Sequence, residues 1–257
     1  MDPATLIGVV VALIAVFGSM IMEGGNPVAI ILIPPMLLVF VGTFGVTMAT
    51  GMQKDFMGAL GAMKDAFLSS VEPPDAAISK VVELAELARR EGLLALEESA
   101  KSIEDPFLKK GVELAVDGTD PEEVRDILEN EIRATKAEAK NKAKFFGDMG
   151  AFAPTLGIIG TVLGLVHVLE NLSEPDKLGH LIAGAFVATL WGVMSANVLW
   201  LPMSKKLARV GELQAHHMEL VMEGILSIQA GANPRVVEQK LVSHLDASAR
   251  AARAKAA

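Results

Sequence analysis

Cysteine is missing from all 257 residues of this chain. Disulfide bridges, thiolate nucleophiles and thiolate-bound metals are therefore excluded, which suits a protein that faces the cytosol or is indifferent to redox state. Charge is missing just as completely from four stretches, residues 4–22, 28–51, 149–169 and 181–203, which hold no Lys, Arg, Asp or Glu. Each has about the 20 residues that an apolar helix needs to cross a bilayer. No basic residue precedes Lys54, so "MDPATL" lacks the basic leader of a signal peptide. The first stretch is expected to be retained as a helix, with Asp2 as its cap and Pro3 in its first turn. Groupings that carry chemistry are absent as well. "GIIGTVLG" has glycines but no Lys-Ser/Thr ending, so it is no phosphate loop. His216 and His217 are adjacent, so on a helix they point about 100° apart and do not converge on a metal. Nothing resembles a nucleophile with its base. The expectation is a protein that is not an enzyme, with no cofactor and no metal site.

What is present is apolar residue in quantity: 51% of the chain is hydrophobic, which argues against an ordinary soluble domain. The basic residues are unevenly placed. Of the 23 Lys and Arg, 14 lie between Lys54 and Lys144 and eight follow the fourth stretch, which leaves only Lys177 for the short connections at 23–27 and 171–180. Positive residues stay in the cytoplasm. Both termini and the long segment between the second and third stretches are thus expected to face the cytoplasm, with two short turns outward. The net charge of −8 resides mostly in that long segment, where acidic residues outnumber basic ones. A nucleic-acid partner is excluded on this ground, and a basic or mixed-charge protein surface fits better.

The charged segments read as helices with punctuation. "PPDAAISKVVELAELARREG" offers Asp75 as a cap, an apolar stripe and Gly92 as a stop. "LLALEESAKSI" and "DPFLKKGVELAVDG" follow as shorter helices. "DPEE" is a strong start signal, with Asp120 as cap and Pro121 in the first helical position. From there, helix-forming sequence runs unbroken to the third stretch. After the fourth stretch come a long helix, a Gly-Ala-Asn turn and a last helix capped by Asn233, before a small, basic tail expected to be frayed.

The third and fourth stretches carry the candidate site. Gly157, Gly160 and Gly164 form one small-residue surface; Gly184, Ala188, Gly192 and Ala196 recur every four residues in the other. Such surfaces let membrane helices approach closely, and plain packing explains them. Pro154 and Pro202 stand where the third stretch enters and the fourth returns, each expected to break its helix, either as a paired hinge or simply as a helix end. Thr161 shares a helical face with Pro154, and Thr189 stands among small residues. The two hydroxyls either line one narrow path or bond carbonyls of their own helices. An ion pathway normally has an ionisable group in the membrane, yet these stretches offer only His167 and His180 near the outer ends. If ions pass, a partner must bring the carboxylate. Arg89 and Glu97 flank Gly92, a corner suited either to complementary charge contacts or to a solvated face.

The whole chain resembles the MotA/PomA family of flagellar stator subunits. The resemblance rests on "GSMIMEGG" with "VFVGTFG", "LARREGLLALE", "APTLGIIGTVLGLVHVL", "VATLWGVMSANVLWLPMSKKL" and "GILSIQAGANPRVVEQKL", in the family's order. It implies five copies of the chain around a dimer of a MotB/PomB-like protein whose membrane Asp carries the ion. It further implies that Arg89, Arg90 and Glu97 contact the rotor protein FliG, that Pro154 and Pro202 couple ion passage to conformational change, and that Thr161 and Thr189 lie on the ion path. The two threonines point to sodium, with the proton as the alternative ion. The expected architecture is an all-α integral protein of the inner membrane. Residues 1–51 form transmembrane helices 1 and 2, 52–148 a cytoplasmic helical domain, 149–203 transmembrane helices 3 and 4, and 204–257 cytoplasmic C-terminal helices and tail. Surrounded by lipid, it converts ion flow into torque for motility and chemotaxis. The alternative is an ExbB/TolQ-type subunit energising outer-membrane processes, although that type resembles a three-span protein; a membrane scaffold moving no ions is a third reading.

Overall fold

The computed structural model describes residues 3–68, 73–245 and 247–256, and among them every regular element is helical. They are α1 (Ala4–Met22), α2 (Ile33–Ala49), α3 (Gln53–Leu68), α4 (Pro74–Glu91), α5 (Leu96–Ala100), α6 (Pro106–Val116), α7 (Pro121–Glu170), α8 (Pro175–Ser195), α9 (Leu201–Gln229), α10 (Pro234–Ser243) and α11 (Ala247–Ala256). Short 3-10 turns occupy Pro27–Ile30 and Leu93–Ala95, and a π turn, Ala196–Trp200, joins α8 to α9.

The chain forms two compact units. One comprises residues 1–70 and 139–209, the other 71–138 and 210–257. These boundaries differ from the sequence segmentation, because α3 and residues 139–148 group with the apolar helices. Ala59, Ala62 and Ala66 of α3 pack with Phe145, Phe146 and Met149 of α7 in one buried cluster. Small alanines on one helix leave room for the aromatic rings of the other.

In the first unit, α1 covers the first uncharged stretch and buries none of its residues, as expected of a helix wetted by hydrocarbon chains. Asp2, the expected cap, lies outside the described residues, and Pro3 holds the cap position. The second stretch is not helical from residue 28. Asn26 caps the 3-10 turn through the Val28 N–H, the chain then extends, and α2 starts at Ile33 with Pro34 and Pro35 in its first turn, where their missing N–H groups cost nothing. Helices α1, α7 and α8 with α9 are long and apolar enough to cross a membrane. At 17 residues, α2 reaches about 25 Å, the short end of the spanning range.

In the second unit, α4, α5, α6, α10 and parts of α7 and α9 enclose a core that includes Ile78, Leu84, Leu96, Val112, Leu128 and Leu220. Pro73 rather than Asp75 stands at the cap of α4, because Pro74 presets the first helical turn. The Asp75 carboxylate accepts from Arg253 instead, at 2.6 Å. Arg253 also donates to Glu238 at 2.8 Å. The tail, expected to be frayed, is helical as α11, tied by this one guanidinium to α4 and α10. Both carboxylates raise the pKa of Arg253 through hydrogen bonds. Asp105 caps α6 by accepting from the Phe107 and Leu108 N–H groups and also bonds His217 at 3.0 Å. Burial pushes the Asp105 carboxyl up. The hydrogen bonds from His217, Phe107 and Leu108 outweigh that and hold it below the ordinary carboxylate value.

Candidate functional site

Glycine sets the distance between α7 and α8. A Cβ built on Gly157 would lie 2.9 Å from the Ala188 carbonyl oxygen and 3.3 Å from Gly192 Cα; one on Gly192 would lie 2.6 Å from the Ala153 oxygen. These are backbone atoms that cannot swing aside. A Cβ on Gly160 would meet the Ala188 Cβ at 2.6 Å, and one on Gly164 the Ala185 Cβ and Cα at 2.6 and 2.9 Å. Gly157, Gly160 and Gly164 therefore face Gly192, Ala188 and Ala185 along an antiparallel seam, while Gly184 has Leu32, of the segment leading into α2, as its nearest neighbour. Opposite the other end of the seam, Trp191 donates from Nε1 to the Ile30 carbonyl at 2.7 Å, and its ring meets Phe40 edge-on.

This close approach brings Thr161 and Thr189 together. Their hydroxyls hydrogen-bond to each other. Thr161 Oγ1 also lies 3.2 Å from the Gly157 carbonyl of its own helix and 3.1 Å from the Ala185 carbonyl across the seam; Thr189 Oγ1 is 3.3 Å from the Gly157 carbonyl. Thr161 thus reaches a carbonyl of its own helix, as one sequence reading had it, whereas Thr189 reaches one on the facing helix, and the two hydroxyls meet. Two hydroxyls carry two protons. One proton closes the Thr–Thr bond and the other goes to a carbonyl, so lone pairs remain on hard oxygen atoms, the type that replaces a cation's hydration shell. No described acidic side chain occurs in these stretches.

The prolines behave differently from each other and from expectation. Pro154 does not break its helix: α7 runs through it for 50 residues, since a single lost hydrogen bond is tolerated within a packed helix pair. Pro202 lies in the first turn of α9, directly after the π turn in which the Leu201 N–H bonds back to the Ala196 carbonyl. A widened turn is the usual accommodation where the regular ladder is interrupted. Gly150, four residues before Pro154, faces Leu201, and Ser204 donates to the Ala143 carbonyl at 2.7 Å, so the stretch of α7 leading into Pro154 lies against the start of α9.

In the second unit, Arg89 and Arg90 occupy the last turn of α4, and Glu97 the first turn of α5. Gly92 separates them with φ +88°, a conformation open to glycine. All three side chains are exposed. Among the described residues neither Arg89 nor Glu97 has an ion-pair partner, while Arg90 reaches Glu91 at 3.9 Å. Leu94, between them, is 73% exposed. Sequence reasoning missed this leucine, the Trp191 anchor and Asn197, an exposed amide within the fourth stretch. A polar residue in an uncharged run was the available signal for Asn197; for the other two there was none.

Residues 99–220 match the MotA/TolQ/ExbB proton channel family, which is not an enzyme class. Motility protein A of Bacillus subtilis (strain 168) is 37% identical, the match covering 97% of this chain and 93% of that one. Chemotaxis protein PomA of Vibrio alginolyticus is 34% identical, with 98% of each covered. Among solved structures, C. jejuni MotAB superposes with a TM-score of 0.92 at 34% identity, covering 96% of this chain and 97% of that one. The flagellar MotAB stator complex of Bacillus subtilis gives 0.89 at 36% identity, over 96% and 98%. Matches of this length to motility proteins displace the outer-membrane alternative. This chain belongs to the MotA/TolQ/ExbB proton channel family, as one of its motility protein A members, the stator subunits of the flagellar motor.

Proposed function

We propose that this stator subunit borrows its titrating group from a second polypeptide and supplies the oxygen atoms that receive the ion. The observation that carries the proposal is the pairing of Thr161 with Thr189 across the glycine seam, in stretches without an acid of their own. Four spanning helices, α1, α2, α7 and α8 with α9, put both termini and the second unit in the cytoplasm, in accord with the distribution of Lys and Arg. The solved relatives are complexes of MotA with MotB. A MotB/PomB-like dimer is the partner here, its membrane Asp set beside the two threonines and five copies of this chain around it. Sodium is the favoured ion, because hydroxyl and carbonyl oxygens suit a bare cation and offer no titrating site of their own.

Loading and unloading of the partner's acid alters the attraction between it and the α7–α8 seam, and the ring steps around the dimer. Pro154 and the π turn before Pro202 are the places where the helices carrying the threonines lack a regular backbone ladder, so bending costs least there. Arg89, Arg90 and Glu97 pass the step to the rotor protein FliG through contacts between exposed charges.

The test is swimming speed against sodium concentration at constant proton-motive force, in cells relying on this subunit with its native Thr161 or with Thr161→Ala. Speed is expected to follow sodium, and the substitution to abolish or shift that dependence. Indifference of both strains to sodium would remove sodium as the ion; unchanged motility of Thr161→Ala would remove the threonine from the path.

A further inference from the structure

An amide side chain facing hydrocarbon is costly unless its hydrogen-bonding groups find partners. Asn197, in the π turn of the membrane unit, is exposed. Its Nδ2 gives one hydrogen to the Val193 carbonyl at 2.9 Å. The second N–H and the Oδ1 have no partner among the described residues. On α7, Thr155 is exposed too; its hydroxyl donates to the Phe152 carbonyl at 2.7 Å, which leaves lone pairs free to accept.

These two groups point off opposite sides of the α7–α8 pair. The face of α7 that meets α8 is marked by Ala153, Gly157, Gly160 and Gly164. Thr155, two residues past Ala153, lies about 200° round the helix, directed away from α8. Asn197, five residues past Gly192, is likewise rotated off the face that meets α7. Their depths nearly coincide. Ala153 and Gly157 stand opposite Gly192, and Gly150 stands opposite Leu201, so Thr155 and Asn197 differ in depth by less than about one helical turn, 5.4 Å.

Copies of one membrane protein insert with the same orientation, so groups at one depth on opposite sides of the molecule are positioned to meet between neighbours. We propose that Asn197 of one copy donates its free N–H to the Thr155 hydroxyl of the next, making this edge of α7 and the exposed edge of the π turn the two halves of a head-to-tail interface between copies. A head-to-tail contact of this kind closes into a ring where the rotation between copies divides a full turn. The donors and acceptors balance: the amide's free hydrogen meets an oxygen whose own hydrogen is already committed. The inference rests on the proposed ring of copies and identifies the residues that hold neighbours in register.

Because the chain has no cysteine, engineered thiols are the only ones it presents. The experiment treats membranes containing the full chain with its partner with a short bifunctional thiol reagent, for Asn197→Cys, Thr155→Cys and the double variant. Only the double variant is expected to give a ladder of covalent multimers of the chain. Monomer alone from the double variant overturns the proposal. A cross-link from Asn197→Cys to a thiol placed in the partner's membrane helix, without a ladder, overturns it in favour of the partner as occupant. If the thiol variants fail to insert, Asn197→Leu in the native background decides: a copy–copy affinity lower by about 3- to 20-fold supports the contact, and unchanged affinity refutes it. The ladder forms whether or not ions pass, so loss of motility with an intact ladder would count against the ion path alone.

Discussion

Replacing Gly192 by alanine adds one methyl group, and the structure sets what it must cost. The new Cβ would stand 2.6 Å from the Ala153 carbonyl oxygen and 3.0 Å from Gly157 Cα, whereas ordinary contact begins at 3.4 Å. With backbone on both sides, α7 and α8 must part by about 0.8 Å, and overpacking of this sort costs about 1–3 kcal/mol. The same separation takes the Thr161 to Ala185 and Thr189 to Gly157 contacts, 3.1 and 3.3 Å long, beyond hydrogen-bonding distance. With one proton in the Thr–Thr bond, only one of these contacts is a hydrogen bond at a time; such a bond between membrane helices is worth about 0.6 kcal/mol, so the total loss is about 2–4 kcal/mol. Gly184→Ala is the internal control. It is the same substitution in the same helix, but its Cβ would find nothing nearer than Leu32 Cδ1 at 3.8 Å, and helix propensity favours it by up to about 1 kcal/mol. Thermal unfolding of the purified complex reads the difference. Gly192→Ala is expected to melt about 4–20 °C below Gly184→Ala and to lose ion-driven motility. Equal melting temperatures would refute the seam as the element that brings the two threonines together.

Two further outcomes concern the second unit. Arg89→Glu reverses an exposed charge that has no ion pair among the described residues, so its effect on stability should stay within about 0.5 kcal/mol, with swimming torque strongly reduced and assembled protein in the membrane unchanged. An equal loss of assembled protein would contradict the rotor contact. The depressed pKa of Asp105 makes a pH prediction: its carboxylate stabilises the fold above the unfolded value of 3.8, and that contribution is lost as pH falls through the lower folded value. Melting temperature measured from about pH 7 to about pH 3 should show this acid limb, and Asp105→Asn, which retains a capping oxygen, should flatten it.

Much of the fold was legible because its causes are local. Runs without charge marked the apolar helices, and Asp120 and Asn233 with the prolines after them marked helix starts, since a cap needs only its own backbone. The positive-φ stop at Gly92 was readable for the same reason. Failures came where a distant partner decides. Asp75 looks like a cap, yet its carboxylate serves Arg253, 178 residues away, and that contact orders the tail. Pro154 reads as a break, yet the helix continues through it within the packed pair.

The site divides in the same way. Sequence alone determined that the third and fourth stretches carry Thr161, Thr189, Pro154 and Pro202 and no acid, because composition and periodicity fix what a helix carries and how deep it lies. That Thr161 and Thr189 share one hydrogen bond was decided only by tertiary structure. Two helices remote in sequence must first come within backbone contact, and it is Gly157 and Gly192 facing each other, a relation no linear pattern specifies, that permits it.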